Sequence, residues 1–198
     1  MEHYFQKVEG WFNFADIYAY AVANAPQKGK FVEVGPWKGQ SSSFLAVEII
    51  NSGKEITLDC IDNFTGSPIE PGQMHDRDNQ AGRLFEVFTN NMKPVEQERP
   101  GMVKGIKGDS AESAALYEDE SLDFVFIDAS HDYESFRKDL LAWHPKVKVG
   151  GLFAGHDFAD PYPGIVKAIK DHCSHEKVGV TPSTCWFFTK TTKDLINI

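Results

Sequence analysis

Apolar positions along this chain follow two alternating rhythms. Short apolar runs occupy residues 30–34, 55–61, 102–106, 122–127 and 151–155, the clearest being Leu122-Asp-Phe-Val-Phe-Ile127. Between them, apolar residues recur at helical spacing. Residues 14–25 carry Ile17, Tyr20, Ala21 and Ala25, a stripe broken by Asn24 and stopped by Pro26. Residues 84–92 place Leu84, Phe85, Phe88 and Met92 on one side, and further helices are expected over 41–50, 110–117, 133–143 and 164–173. Runs that are apolar at nearly every position predict strands buried on both faces. Their alternation with helices predicts an α/β fold, a doubly wound, mostly parallel sheet with helices on both faces. Two last strand-like pieces, around Val178 and over 184–189, leave no room for a helix between them. They predict a hairpin and therefore one antiparallel strand.

Residues 63–80 have no periodicity and are rich in Gly, Pro, Asp and Asn. A loop of that length in a compact domain is usually functional or mobile. Its position directly after the second strand makes 63–83 a candidate lid over an active site. No repeat, linker or low-complexity tract interrupts the chain. The expectation is one domain over 1–198, with 1–29 as an N-terminal helical segment.

In an open parallel sheet, ligands bind beyond the carboxyl ends of the strands, where the strand order reverses. The first such turn reads Glu33-Val-Gly35-Pro-Trp37-Lys-Gly39-Gln-Ser41. Gly35 permits a sharp turn, and Gly39 permits close approach of a ligand and of the next helix. The spacing departs from the GxGxxG of dinucleotide folds, and a carboxylate at Glu33 would repel a diphosphate. It suits a cationic ligand better. Asp62 ends the second strand, where an acid can take both hydroxyls of a ribose. Asp109 and Ser110 follow the third strand, where they can cap a helix or meet an adenine amino group. Each of these could be an ordinary turn or cap residue, but three in register point to a nucleoside.

The blocks FVEVGPWKGQSS, TLDCIDNFTGS, KGDSAE, LDFVFIDASHDYESFRKDL and GGLFAGHDF, spread over residues 31–158, resemble class I S-adenosylmethionine-dependent methyltransferases. They are similar in particular to the small-molecule O-methyltransferase branch that includes macrocin and catechol O-methyltransferases. The resemblance implies a seven-stranded Rossmann-like sheet with a reversed final strand. It implies that Glu33, Gly35, Trp37, Gly39 and Ser41 line the methionine end of S-adenosyl-L-methionine, that Asp62 holds the ribose, and that Asp109 and Ser110 meet the adenine edge.

The fourth run delivers Asp128-Ala-Ser-His131-Asp132 to the same sheet edge, and the fifth delivers His156-Asp157. Methyl transfer from a sulfonium to a hydroxyl needs in-line approach and loss of the acceptor's proton. Two arrangements of these residues can provide that. In one, Asp128, His156 and Asp157 bind a divalent cation such as Mg2+ or Mn2+. The resembling enzymes carry an acid at the first position of the second pair; here His156 stands there, which shifts preference toward softer metals. In the other arrangement His131 alone is the general base, with Asp132 in reserve. His3, His75, His144, His172 and His175 are expected on the surface or in packing.

Composition narrows the partners. A net charge of −9 argues against a protein that coats nucleic acid. No apolar run is long enough to cross a membrane, and residues 1–8 do not have a signal peptide's pattern. Cys60, Cys173 and Cys185 are odd in number and lack metal-type spacing, so they are expected as reduced, buried thiols of a cytoplasmic protein. Trp11, Phe12 and Phe14 are expected in packing, with an acceptor wall or a homo-oligomer contact as alternatives. The function expected is O-methylation of a small hydroxylated molecule. The alternatives are N-methylation on the same fold, a nucleotide-dependent oxidoreductase, or a non-catalytic binder of the cofactor. The segment Asp128-Ala-Ser-His131 is not the Asn/Asp-Pro-Pro-Tyr type expected of nucleic-acid N-methyltransferases, and the glycine spacing disfavours the oxidoreductase.

Overall fold

The computed structural model describes residues 1–66, 75–174 and 177–192. Its strands are β1 (Lys30–Val34), β2 (Thr57–Asp62), β3 (Val103–Lys107), β4 (Leu122–Ile127), β5 (Val147–Gly155), β6 (Gly179–Val180) and β7 (Trp186–Thr189). They form one sheet in the order β3-β2-β1-β4-β5-β7-β6. Strands β1 to β5 are parallel, and β7 runs antiparallel to both β5 and β6. The expected hairpin and single reversed strand are both present. The strand order turns back between β1 and β4, so the crevice beyond those two strands is where a ligand belongs.

The helices among the described residues are α1 (Ala15–Asn24), α2 (Gln40–Ser52), α3 (Arg77–Gln80), α4 (Leu84–Glu98), α5 (Ser110–Ser113), α6 (Tyr133–Trp143) and α7 (Pro163–His172). Successive strand residues face opposite sides, so β1 sends Phe31 into one apolar cluster and Val32 and Val34 into the other. The first cluster joins α1, α2 and α4 to the sheet, and the second joins α6 and α7. On α6, Phe136, Leu140 and Trp143 recur at helical spacing and are at most 1% exposed. Each stabilises the fold by roughly 1.5–3 kcal/mol through burial. All three cysteines are buried. Among the described residues, no helix is long and apolar enough to cross a membrane.

Four elements differ from the expected boundaries. Helix α4 continues past Met92 and through Pro94, because Val95 on its next turn is fully buried and that packing outweighs the lost backbone bond. Strand β5 begins at Val147, four residues early. The Gly150-Gly151 pair, which resembles a turn in the sequence, is an irregularity in the pairing with β4, with Gly150 at φ 86°. Residues 110–117 divide into α5 and a 3-10 turn, Ala114–Leu116. The expected 63–80 loop contains the short helix α3, capped by Asp76; its residues 67–74 lie outside the described residues.

Candidate active site

The turn after β1 is fastened on both sides. The Gly35 N–H donates to the Ile61 carbonyl at 2.9 Å, and the Asp128 N–H donates to the Val34 carbonyl at 2.8 Å. Gly35 has φ 90°, and a Cβ there would lie 1.9 Å from the Asp128 carbonyl oxygen, so only glycine fits. Trp37 holds φ 47°, a conformation rarely kept without a functional or packing demand. Its N–H donates to Asp62 Oδ2 at 3.1 Å, while the Phe64 N–H donates to Asp62 Oδ1 at 2.7 Å. Burial raises the Asp62 carboxyl above its usual range against those two donors. A Cβ at Gly39 would meet Met92 and Phe88, which makes that glycine a contact of the loop with α4.

Two adjoining hollows open beside this turn, of about 200 and 450 Å³, sharing Gly35, Trp37, Asp128 and Ala129. The smaller is lined by Asp62, Asp109 and Ser110 among others, the residues expected to meet a nucleoside. Asp109 also caps α5, accepting from the Glu112 N–H at 3.0 Å. The larger hollow is lined by Trp11, Phe12, Trp37 and Tyr162 on its apolar side and by Ser41, Asp128, His131, His156 and Asp157 on its polar side.

Glu33 lines neither hollow. It is 1% exposed, on the α1–α2 side of the sheet, and its carboxylate accepts from the hydroxyls of Tyr18 (2.8 Å), Ser41 and Ser42. Burial raises its carboxyl, and the three hydroxyls oppose that. Glu33, expected along the methionine end of the cofactor, thus lies behind the turn after β1 and holds the first turn of α2 to β1.

At the mouth of β4 and β5, Asp128, His131 and Asp157 bring ligand atoms within 4.8 Å of one another. This grouping has His131 where the expected metal set had His156. His131 Nε2 lies 2.9 Å from Asp157 Oδ2 and 4.0 Å from Asp128 Oδ1. His156 lies next to the group and is held by other contacts. Its Nε2–H donates to the Ser183 carbonyl at 2.9 Å, its ring packs on Phe14 at 4.7 Å, and its Nδ1 faces Asp157 Oδ1 at 3.0 Å. Burial pulls the His131 imidazole down, but Asp128 and Asp157 outweigh it and lift it to about 10. Burial acts to raise Asp157, yet the two imidazoles bring it down to about 2. Asp157 also carries a strained φ of 62°. Asp132 caps α6 through the Ser135 N–H at 3.0 Å.

A family described as a methyltransferase domain matches residues 32–158, from β1 to just past β5. The chain belongs to this methyltransferase family. The methyltransferase has the fold of solved enzymes that share little of its sequence. The O-methyltransferase NovP superposes with a TM-score of 0.66 at 20% identity, over 89% of this chain and 79% of NovP. CalS11, a TDP-rhamnose 3′-O-methyltransferase of calicheamicin biosynthesis, gives 0.60 at 15% identity, over 88% and 76%. An S-adenosylmethionine-dependent O-methyltransferase from Thermotoga maritima gives 0.62 at 12% identity, over 93% and 68%. A search of curated proteins finds no match.

Two buried residues at or beside these hollows were not singled out from sequence. Asp139 lines the smaller hollow from α6 and is 4% exposed. The signal was available: it interrupts the buried stripe Phe136, Leu140, Trp143 with an acid. Lys38 is buried directly behind Trp37, and nothing in the local pattern distinguishes it from a solvated loop lysine.

Proposed function

We propose that the methyltransferase moves the methyl group of S-adenosylmethionine to a hydroxyl of a small, uncharged acceptor seated in the larger hollow. The observation that carries this reading is the meeting of the two hollows at Asp128. On one side stand Asp62, Asp109 and Ser110, whose donors and acceptors suit a nucleoside. On the other stand two carboxylates and two imidazoles that can handle an acceptor's proton, walled by aromatic rings. The sulfonium is already a good leaving group, so the protein's tasks are orientation and deprotonation. Asp62 would orient the ribose, and the bare backbone at Gly35 would let the methionine end approach the sheet. Trp11, Trp37 and Tyr162 would exclude water from the transfer. Among the described residues lining the larger hollow there is no lysine or arginine, and both imidazoles there are already paired with Asp157, so an anionic acceptor finds no uncompensated counter-charge.

The donor set of Asp128, His131 and Asp157 also fits a divalent cation, two oxygens with one nitrogen suiting manganese, iron or zinc as well as magnesium. When bound, such an ion would lower the pKa of a coordinated hydroxyl. The test incubates the enzyme with S-adenosylmethionine and a panel of catechols, glycosides and amines, with Mg2+, Mn2+ or a chelator, and follows S-adenosylhomocysteine and the methylated product. Acceptor-dependent turnover that yields an ether supports the reading. An amine product would replace it with N-methylation, and undiminished turnover in chelator would remove the ion and leave His131 as the base, in which case turnover should rise with pH until the imidazole, lifted to about 10, gives up its own proton.

A further inference from the structure

The ammonium of Lys38 gathers three carboxylates from two separate segments. Its Nζ lies 2.8 Å from Glu9 Oε2, 2.5 Å from Asp76 Oδ2 and 3.2 Å from Asp78 Oδ2, with the side chain 2% exposed. It also sits over the Trp37 ring, 4.7 Å from the centroid. A buried lysine is tolerated only when paired, and burial that would pull its ammonium down is overcome by Asp76, Glu9 and Asp78. Asp76 is itself fixed, because its other oxygen accepts from the Asp78 and Asn79 N–H groups and caps α3. Glu9 precedes Gly10 and Trp11. The Trp11 ring is 63% exposed, yet it stacks on Trp37 at 4.8 Å and 23°.

An exposed indole gains little from burial, so its position depends on what holds the chain beside it. On one side that is Gln40, whose amide donates to the Val8 carbonyl at 2.8 Å, with Gly10 lying flush on Gln40. On the other side it is the Lys38–Glu9 pair. Without Lys38, three carboxylates would face one another with, among the described residues, Arg83 bound to Asp78 at 2.8 Å to offset them.

We propose that Lys38 is a positioning residue for the acceptor wall: by drawing Glu9, Asp76 and Asp78 to one point it seats Trp11 on Trp37 and builds the side of the larger hollow. The proposal rests on reading that hollow as the acceptor site, but its test needs no acceptor. Two stacked indoles give an exciton couplet in far-ultraviolet circular dichroism, and a Trp11→Phe variant defines its absence. Lys38→Met is expected to lose most of the couplet, and Lys38→Arg, which keeps the charge, to retain it. A full couplet in Lys38→Met overturns the proposal. Should Lys38→Met fail to fold, the double variant Glu9→Gln/Asp78→Asn removes two of the three partners at more exposed positions. A weakened couplet there supports the proposal and an unchanged one overturns it. Failure to find any acceptor would count against O-methylation and leave this result standing.

Discussion

Asp139 gives the sharpest test of the energetics around the smaller hollow. Its carboxyl is 4% exposed on the apolar stripe of α6. Burial lifts it from 3.8 to about 7, the Ser110 hydroxyl opposes the lift, and Asp109 and Asp132 add to it. The unfolded chain therefore releases this proton near pH 4, while the folded chain holds it until about pH 7. In that window the unfolded state binds fewer protons, so stability is full below the unfolded value and falls as pH rises through the folded one. A displacement of about three pH units corresponds to at most roughly 4 kcal/mol. Asp139→Asn keeps the shape and removes the titration. Urea unfolding of both proteins at pH 3, 5.5 and 8 isolates the effect, because every other group cancels in the difference. The variant should match the wild type at the lowest pH and exceed it at pH 8 by up to a few kcal/mol. A wild type that is the more stable of the two at pH 8 would mean that the carboxylate is ionised and well paired, and would refute the argument from burial.

Two further substitutions probe the turn after β1. Gly35→Ala would drive a Cβ to 1.9 Å from a backbone oxygen, so it should cost more than about 3 kcal/mol and abolish S-adenosylhomocysteine binding; wild-type melting and affinity would disprove the close approach. Glu33→Gln sets an amide N–H2 against the hydroxyl donors of Tyr18, Ser41 and Ser42. It should cost about 1–3 kcal/mol in chemical denaturation while calorimetry finds ligand affinity changed only a few-fold. Lost affinity at unchanged stability would return Glu33 to the cofactor site.

Where burial alone decides structure, the sequence is a good guide. The run at 122–127 is apolar almost throughout because that strand is covered on both faces, and the hairpin follows from the lack of room between its strands. Its failures share a cause, in that a local signal is overridden by contacts distant in sequence. The stripe at 84–92 predicts a helix that ends near Met92, but Val95, buried in the first apolar cluster, carries α4 onward through Pro94. The fifth run predicts a strand that starts at residue 151, but β5 starts at Val147 and its pairing with β4 absorbs Gly150 and Gly151 as an irregularity. Lys38 becomes notable only when Glu9 and Asp76, 29 and 38 residues away, arrive beside it.

The same reasoning explains which acids reach the crevice. A side chain inside a strand points to one core or the other, and only the last residue of the strand, or the first beyond it, is free to turn over the sheet edge. Glu33 lies one residue inside β1 and is taken up by the core, whereas Asp62 ends β2 and Asp128 follows β4, and both line the hollows. His156 follows β5 directly and also lines the larger hollow, but its ring is held against Phe14 and the Ser183 carbonyl. One residue later the backbone at Asp157 turns to a positive φ, which brings that carboxylate between His156 and His131. A histidine three residues beyond Asp128 thereby joins the charged cluster ahead of the one at the strand end, a geometry that depends on the strained turn and that residue spacing along the chain does not encode.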